Sequence, residues 1–293
     1  MKDLAAIMTK MENLIRENGV NCFDIVGYWD GQWETRPIMP TLNFMNGFSV
    51  AKSFTATAIG IAQDNGLLNI DDTILSFIDT GEAETIDPAM KDVTIRHLLT
   101  HTMGIQKKYL HTADRNELHT DDWLGYVLSQ PLLNKPGEQY MYSNSNFYLL
   151  SRIIRKASGK AMDTFLYEHL FKPLEIKDTA FTRCPKGEVQ GGTGLFITSQ
   201  DMAKLGVLYL HNGMWDGKRI LSENWVREAT RNQTSHIPGK QYGFGMGVFD
   251  KGFCFKGALM QFVVVRKDLG LVLAGHACET KTDILAVINE VIA

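Results

Sequence analysis

Residues 49–65 read Ser-Val-Ala-Lys-Ser-Phe-Thr-Ala-Thr-Ala-Ile-Gly-Ile-Ala-Gln-Asp-Asn, and Gly66 follows. Between Phe54 and Ala62 no side chain is charged; apart from Phe54 the run is Ala, Ile, Gly and Thr. A helix without a charged face is buried on all sides, and small residues let its neighbours approach closely. The stretch therefore predicts a central helix, ended by Gly66, which suits the left-handed position just beyond a helix. Lys52 stands out in it, because a buried ammonium is costly unless it is paired or its pKa falls.

On a helix, residues three apart share a face, so Ser49 and Lys52 lie side by side. Two readings follow. In one, Ser49 caps the helix and Lys52 stretches its stem until the ammonium meets water. In the other, burial and the helix N-terminus keep Lys52 neutral, and its amine accepts the proton of a nucleophilic Ser49 hydroxyl. A lone Ser-x-x-Lys spacing arises by chance in a chain of this length, so other segments have to decide.

Outward from this helix, both chain ends carry strand patterns. Residues 22–28 alternate, with Phe23 and Ile25 on one face, and Asp30-Gly31 supplies a two-residue turn before Trp33 and Thr35. At the far end, residues 243–249, 253–258, 261–266 and 270–274 read as strands, separated by Asp250-Lys251-Gly252 and Lys267-Asp268. Residues 1–12 form an amphipathic helix and residues 283–292 a second one. The simplest assembly is one antiparallel sheet flanked by the N- and C-terminal helices. Between these ends lie helix signals. Asp71-Asp72 opens one candidate, Thr94 caps 95–100, and Asp121-Asp122 precedes 123–128. Asn144 leads into 147–156, stopped by Ser158-Gly159; Ser199 caps 201–210 and Ser222 caps 223–230. The expected fold class is α/β (α+β). Residues 1–66 and 236–293 make an α/β sandwich, residues 67–235 a large inserted helical region, and the active site lies in the cleft between them.

Two further segments bear on Ser49. Pro136-Gly137-Glu138-Gln139-Tyr140-Met141-Tyr142-Ser143-Asn144 is a turn, an extended piece and a helix start, leaving Tyr142 and Asn144 at an element boundary. Phe255-Lys256-Gly257-Ala258 lies in a strand, where Gly257 allows close approach to the backbone. Together, Ser49-Val50-Ala51-Lys52, Tyr142-Ser143-Asn144 and this glycine-bearing strand resemble the serine β-lactamase and penicillin-binding protein family, in its class C and family VIII esterase branch. Leu98-Leu99-Thr100-His101-Thr102-Met103-Gly104-Ile105, Gly191-Gly192-Thr193-Gly194-Leu195 and Tyr242-Gly243-Phe244-Gly245 also look like that branch.

The resemblance implies a β-lactamase/transpeptidase-like fold and a serine hydrolase working through an acyl-enzyme, with no metal and no organic cofactor. Ser49 would be the nucleophile and Lys52 the general base or the tuner of one. Tyr142, as phenolate or hydrogen-bonded phenol, would shuttle the proton. Asn144 would orient Lys52 and contact the acyl side, and the backbone N–H groups of Ser49 and of Ala258, just after Gly257, would form the oxyanion hole. The third motif departs from the β-lactamase form. One register puts Phe255 where the family often has Lys or His and turns Lys256 to the opposite face. A shifted register restores Lys256 but places Ala258 at the glycine position and Leu259 at the oxyanion donor; the first is preferred. Met103 and Phe48 also replace smaller residues, which favours an apolar pocket over a penicillin pocket.

The composition bounds the remaining possibilities. The chain has 293 residues, 44% of them hydrophobic, and 30 basic against 33 acidic side chains give a net charge of −3. No basic block is present, so nucleic acid has no electrostatic footprint. No run of about 18 apolar residues suggests a membrane span, and residues 1–12 lack the apolar core of a secretion signal. Cys22, Cys184, Cys254 and Cys278 are scattered and read as buried thiols of a cytoplasmic protein. His97 and His101 have metal-ligand spacing without a third partner and read as structural; Trp29, Trp33 and Trp215 read as core or hairpin packing. The expected partner is a small-molecule substrate, and no oligomeric state follows. The leading function is an esterase or amidase. The alternatives are a β-lactamase or penicillin-binding carboxypeptidase, and a non-catalytic ligand-binding protein on the same fold.

Overall fold

Six antiparallel strands form the main sheet of the computed structural model, which describes residues 3–40, 44–78, 81 and 85–292. Their spatial order is Gln32–Pro37, Cys22–Trp29, Leu271–Ala277, Gln261–Arg266, Gly252–Gly257, Gly247–Phe249. The two chain ends thus meet inside one sheet, with Trp29 opposite Leu271 and Cys22 opposite Ala277. Asp30 and Gly31 make the first hairpin turn with φ of 49° and 78°, the left-handed geometry that matches strand twist.

One face of the sheet is covered by the helices Leu4–Glu17 and Ile284–Ile292, with Met8, Met11, Ile25, Phe262 and Ile288 fully buried between them. Asp3 caps the first of these, its carboxylate accepting from the Ala6 N–H at 2.7 Å; Met1 and Lys2 lie outside the described residues. The other face takes the helix Ser199–Leu210. A Cβ on Gly206 would come within 2.8 Å of Val263, so only a glycine lets that helix lie this close to the sheet. This helix packs on the sheet although it falls within the 67–235 stretch.

The central helix spans Ala51–Asp64, preceded by a 3-10 turn at Phe48–Val50. Every residue from Ala51 to Ala62 is buried, as its charge-free composition requires. Its hydroxyls all find carbonyls: Ser53 donates to Gly245 O, Thr55 to Gly191 O and Thr57 to Ser53 O, each at 2.8 Å. The helix Asn144–Ser158 packs against it and ends at Gly159 with φ 72°. Among the described residues no helix is long and apolar enough to cross a membrane.

Several local expectations need correction. Asp71-Asp72 opens no α-helix; Asp72 closes a turn by accepting from the Asn69 N–H, and only the 3-10 turn Ile74–Ser76 follows. The helix at 199 is capped by Thr198, whose hydroxyl accepts from the Asp201 N–H, while Ser199 Oγ donates to Asp24 at 2.6 Å. Residues 243–245 leave the sheet because the Phe244 and Gly245 N–H groups donate to Ala229 O and Leu99 O, so that strand is only Gly247–Phe249. Cys278 is exposed; the other three cysteines are buried and all four are free.

Candidate active site

The turn before the central helix is strained. Phe48 has φ 47°, a left-handed conformation that costs a bulky residue about 1–3 kcal/mol. It is held there by its own N–H, donated to Asn46 Oδ1 at 2.8 Å, and by the Gly47 N–H, donated to Leu195 O at 2.8 Å. The result leaves Ser49 partly exposed at the mouth of the helix, with Lys52 one turn below and only 1% exposed.

Lys52 does not reach water. Its Nζ lies 2.7 Å from Asn144 Oδ1, 2.5 Å from Gly192 O and 3.1 Å from Ser49 Oγ. Burial holds its pKa well below the ordinary 10.5. A neutral amine has two N–H donors and one lone pair. Asn144 Oδ1, Gly192 O and Ser49 Oγ each stand in position to accept from Nζ; once the amine is neutral, Ser49 is the one of the three with a proton to give to its lone pair. Asn144 cannot present its amide nitrogen instead, because Nδ2 donates to Leu110 O at 3.0 Å. With the amine neutral these groups admit one proton arrangement, with Ser49 as donor and Lys52 as acceptor.

Tyr142 completes the cluster. Its hydroxyl is hydrogen-bonded to Ser49, and its ring centroid lies 4.6 Å from Lys52 Nζ. Burial pushes the phenol up to about 12, an effect that the Ser49 hydrogen bond only partly offsets. Of the two forms expected for this residue, the phenol is the one present at neutral pH. His101 packs on it at 4.4 Å between centroids. His101 Nδ1 accepts from the Ser143 N–H at 3.3 Å, and burial followed by Lys52 keeps this imidazole well below its usual range. His97 acts on its own helix instead, where its Nδ1 accepts from the Thr94 N–H and closes a capping box. Among the described residues no group of three or more His, Cys, Asp or Glu is arranged to hold a metal.

The late strand supplies the opposite wall. Phe255 is fully buried in the core shared with the central helix, whereas Lys256 is exposed and lies 3.6 Å from Asp283. Strand alternation thus turns the lysine toward the C-terminal helix and the phenylalanine inward. A Cβ on Gly257 would lie 2.2 Å from Gly47 O, so this strand position packs against the turn that carries Ser49 and has no room for a side chain. Ala258–Met260 then form a tight turn in which Leu259 and Met260 both have positive φ, 57° and 62°. Gln261 fastens that turn, donating Nε2 to Leu259 O at 3.1 Å and to Ala277 O at 2.5 Å, with its Oε1 against the buried His276.

A sequence model of the family described as Beta-lactamase matches residues 38–282. The chain belongs to the Beta-lactamase family. Protein flp from Staphylococcus aureus is 32% identical over 143 residues, 45% of this chain and 27% of that protein. Monacolin J acid methylbutanoyltransferase from Aspergillus terreus is 29% identical over 153 residues, 45% of this chain and 37% of that enzyme. The octameric penicillin-binding protein homologue from Pyrococcus abyssi superposes with a TM-score of 0.79 at 19% identity, over 100% of this chain and 77% of that one. The chain spans between 27% and 56% of the length of the first curated relatives that it matches. These likenesses establish the β-lactamase/transpeptidase fold; the site geometry has to carry the chemistry.

Of the residues singled out in the sequence, Ser49, Lys52, Tyr142 and Asn144 converge in this Beta-lactamase-family chain, and Gly257 lies against the backbone of the nucleophile turn. Sequence reasoning gave no role to Gly192, Leu110, His101 or Gln261. A signal existed for the first: Gly191-Gly192 lies so close to the Asn144–Ser158 helix that a Cβ on Gly191 would sit 2.3 Å from Phe147 O. The backbone acceptor Leu110 O carries no residue signature at all. Gly257→Ala is expected to displace the strand from Gly47 and lower kcat/KM for an activated ester by about 100-fold, the scale of losing an oxyanion donor. Steady-state kinetics and a thermal melt together check that the loss exceeds any change in stability.

Proposed function

We propose that this chain is a serine hydrolase that acts through an acyl-enzyme on a small ester or amide. The observation that carries this reading is the buried amine of Lys52, held by Asn144 and Gly192 with its Nζ 3.1 Å from Ser49 Oγ. Ser49 Oγ attacks the substrate carbonyl carbon while its proton passes to Lys52 Nζ. The carbonyl oxygen gains the negative charge and is received by the backbone N–H groups of Ser49 and Ala258. As the tetrahedral intermediate collapses, the bond to the leaving group breaks. The leaving group takes the Tyr142 proton, and Tyr142 is reprotonated from Lys52. Water then enters along the same route, transfers a proton through Tyr142 and Lys52, and releases the acid and the free Ser49 hydroxyl.

Phe255 and the outward-facing Lys256 support ester or amide substrates over β-lactams, because this strand offers no cation for a β-lactam carboxylate on the Ser49 side. The Aspergillus terreus relative is named as an acyl transferase, so an acceptor other than water in the second half is the variant of this reaction to test beside hydrolysis. A fluorophosphonate probe is expected to label Ser49 stoichiometrically, and p-nitrophenyl butyrate to turn over at least about 100-fold faster than nitrocefin. Absence of labelling would favour a non-catalytic ligand-binding protein. Equal turnover of the two substrates would favour the β-lactamase or penicillin-binding carboxypeptidase.

A further inference from the structure

A cavity of about 390 Å³ lies outside this site, and neither Ser49, Lys52 nor Tyr142 lines it. Its walls include Tyr28 and Trp33 of the first hairpin, His211 at the end of the helix Ser199–Leu210, and Trp215 of the short hairpin Met214–Trp215 and Lys218–Arg219. Glu175 and Asp216, both exposed, are its acidic members, and among the described residues no lysine or arginine lines it. The aromatic wall is preorganised. The Tyr28 and Trp33 rings sit 4.8 Å apart at 58°, and Tyr28 and His211 sit 5.7 Å apart at 64°. The Tyr28 hydroxyl and His211 Nε2, 3.1 Å apart, lock the two together. The cations in the neighbourhood are committed elsewhere. Lys204 donates to Asp201 at 2.7 Å and to Glu175 O at 2.9 Å, and Lys218, opposite Trp215, is exposed and outside the cavity.

Tilted aromatic faces beside two carboxylates repel anions and offer a neutral apolar ligand nothing that a plain apolar cleft would not. They match an ammonium whose charge is spread over alkyl groups: it is weakly hydrated, attracted to the ring faces, and paired by the carboxylates. The volume lies within the roughly 300–1,000 Å³ typical of small-molecule sites. We propose that this cavity is a second, non-catalytic binding site for a small tertiary or quaternary ammonium compound. The proposal stands apart from the hydrolase reading, since it shares no residue with it.

The test titrates the full chain with choline and, separately, with its uncharged isostere 3,3-dimethyl-1-butanol, read by calorimetry and tryptophan fluorescence. Choline is expected to saturate, and the isostere to bind at least about tenfold more weakly, because only the cation gains from the rings and carboxylates. Trp215→Ala, and separately the double variant Glu175→Gln/Asp216→Asn, are expected to weaken choline at least about fivefold while leaving ester turnover unchanged. The carboxamide pair nearly preserves shape, so it reads charge even if Trp215→Ala misfolds. Equal affinity for choline and the isostere, no saturation by choline, or wild-type choline affinity in the carboxamide variant would each overturn the proposal.

Discussion

Ser49→Ala is expected to lower kcat/KM for p-nitrophenyl butyrate by at least about 10⁴-fold, the scale seen when a serine nucleophile is removed. The size of the effect follows from what remains. The Lys52 amine keeps its contacts to Asn144 and Gly192, but the atom that forms the acyl bond is gone. Any residual rate comes from backbone N–H groups polarising the ester for direct attack by water. In the proposed mechanism Ser49 and Lys52 act as one unit, so adding Lys52→Ala to Ser49→Ala is expected to cost almost nothing more. A single-variant loss below about tenfold, with the fold intact by circular dichroism, would place the nucleophile elsewhere.

Lys52→Met is expected to lower kcat/KM by about 10³-fold, near the middle of the range for losing a positioned general base. The wild-type rate is expected to rise with pH as Lys52 loses its proton, with this limb well below 10.5 because burial disfavours the ammonium. Tyr142, pushed up to about 12, contributes no falling limb below that value. The variant is expected to lose the rising limb.

The same burial has a signature in stability, and its sign can be worked out. The folded state gives up the Lys52 proton at a lower pH than the unfolded chain, which holds it up to the ordinary amine value of 10.5, so between the two values the unfolded state carries more protons. Wild-type stability relative to Lys52→Met therefore increases with pH, by up to about 1.4 kcal/mol per pH unit, from the depressed folded value to the ordinary one. Denaturant melts of both proteins at a series of pH values from neutrality upward measure it. A difference independent of pH would mean that Lys52 is charged in the folded protein.

The parts of this fold that were legible in the sequence are those set by local rules. A charge-free run of small residues had to be buried, Asp30-Gly31 had to reverse the chain, and Thr94 and Ser222 cap the helices that follow them. The misreadings come from places where a distant group takes over a local signal. Ser199 looks like a cap, yet its hydroxyl is claimed by Asp24, 175 residues away, and Thr198 does the capping. Residues 243–245 alternate like a strand, but the Phe244 and Gly245 N–H groups are drawn to the ends of two helices. Asp71-Asp72 resembles a helix start and closes a turn, because hydrogen bonds of the same strength are available to either conformation.

For the site, the sequence by itself determined that a lysine sits one helical turn from a serine in a segment with no charged face, since helical spacing and burial are local matters. It also determined, by strand alternation, that Phe255 and Lys256 part company. Only the tertiary structure decided how that lysine is buried and which groups hold its amine beside Ser49. Those answers belong to Asn144 Oδ1 and Gly192 O, 92 and 140 residues away, and to a carbonyl at Leu110 that orients the asparagine. A backbone oxygen has the same chemistry in every residue. Its position, and hence the proton arrangement of the cluster, exists only once the chain has packed.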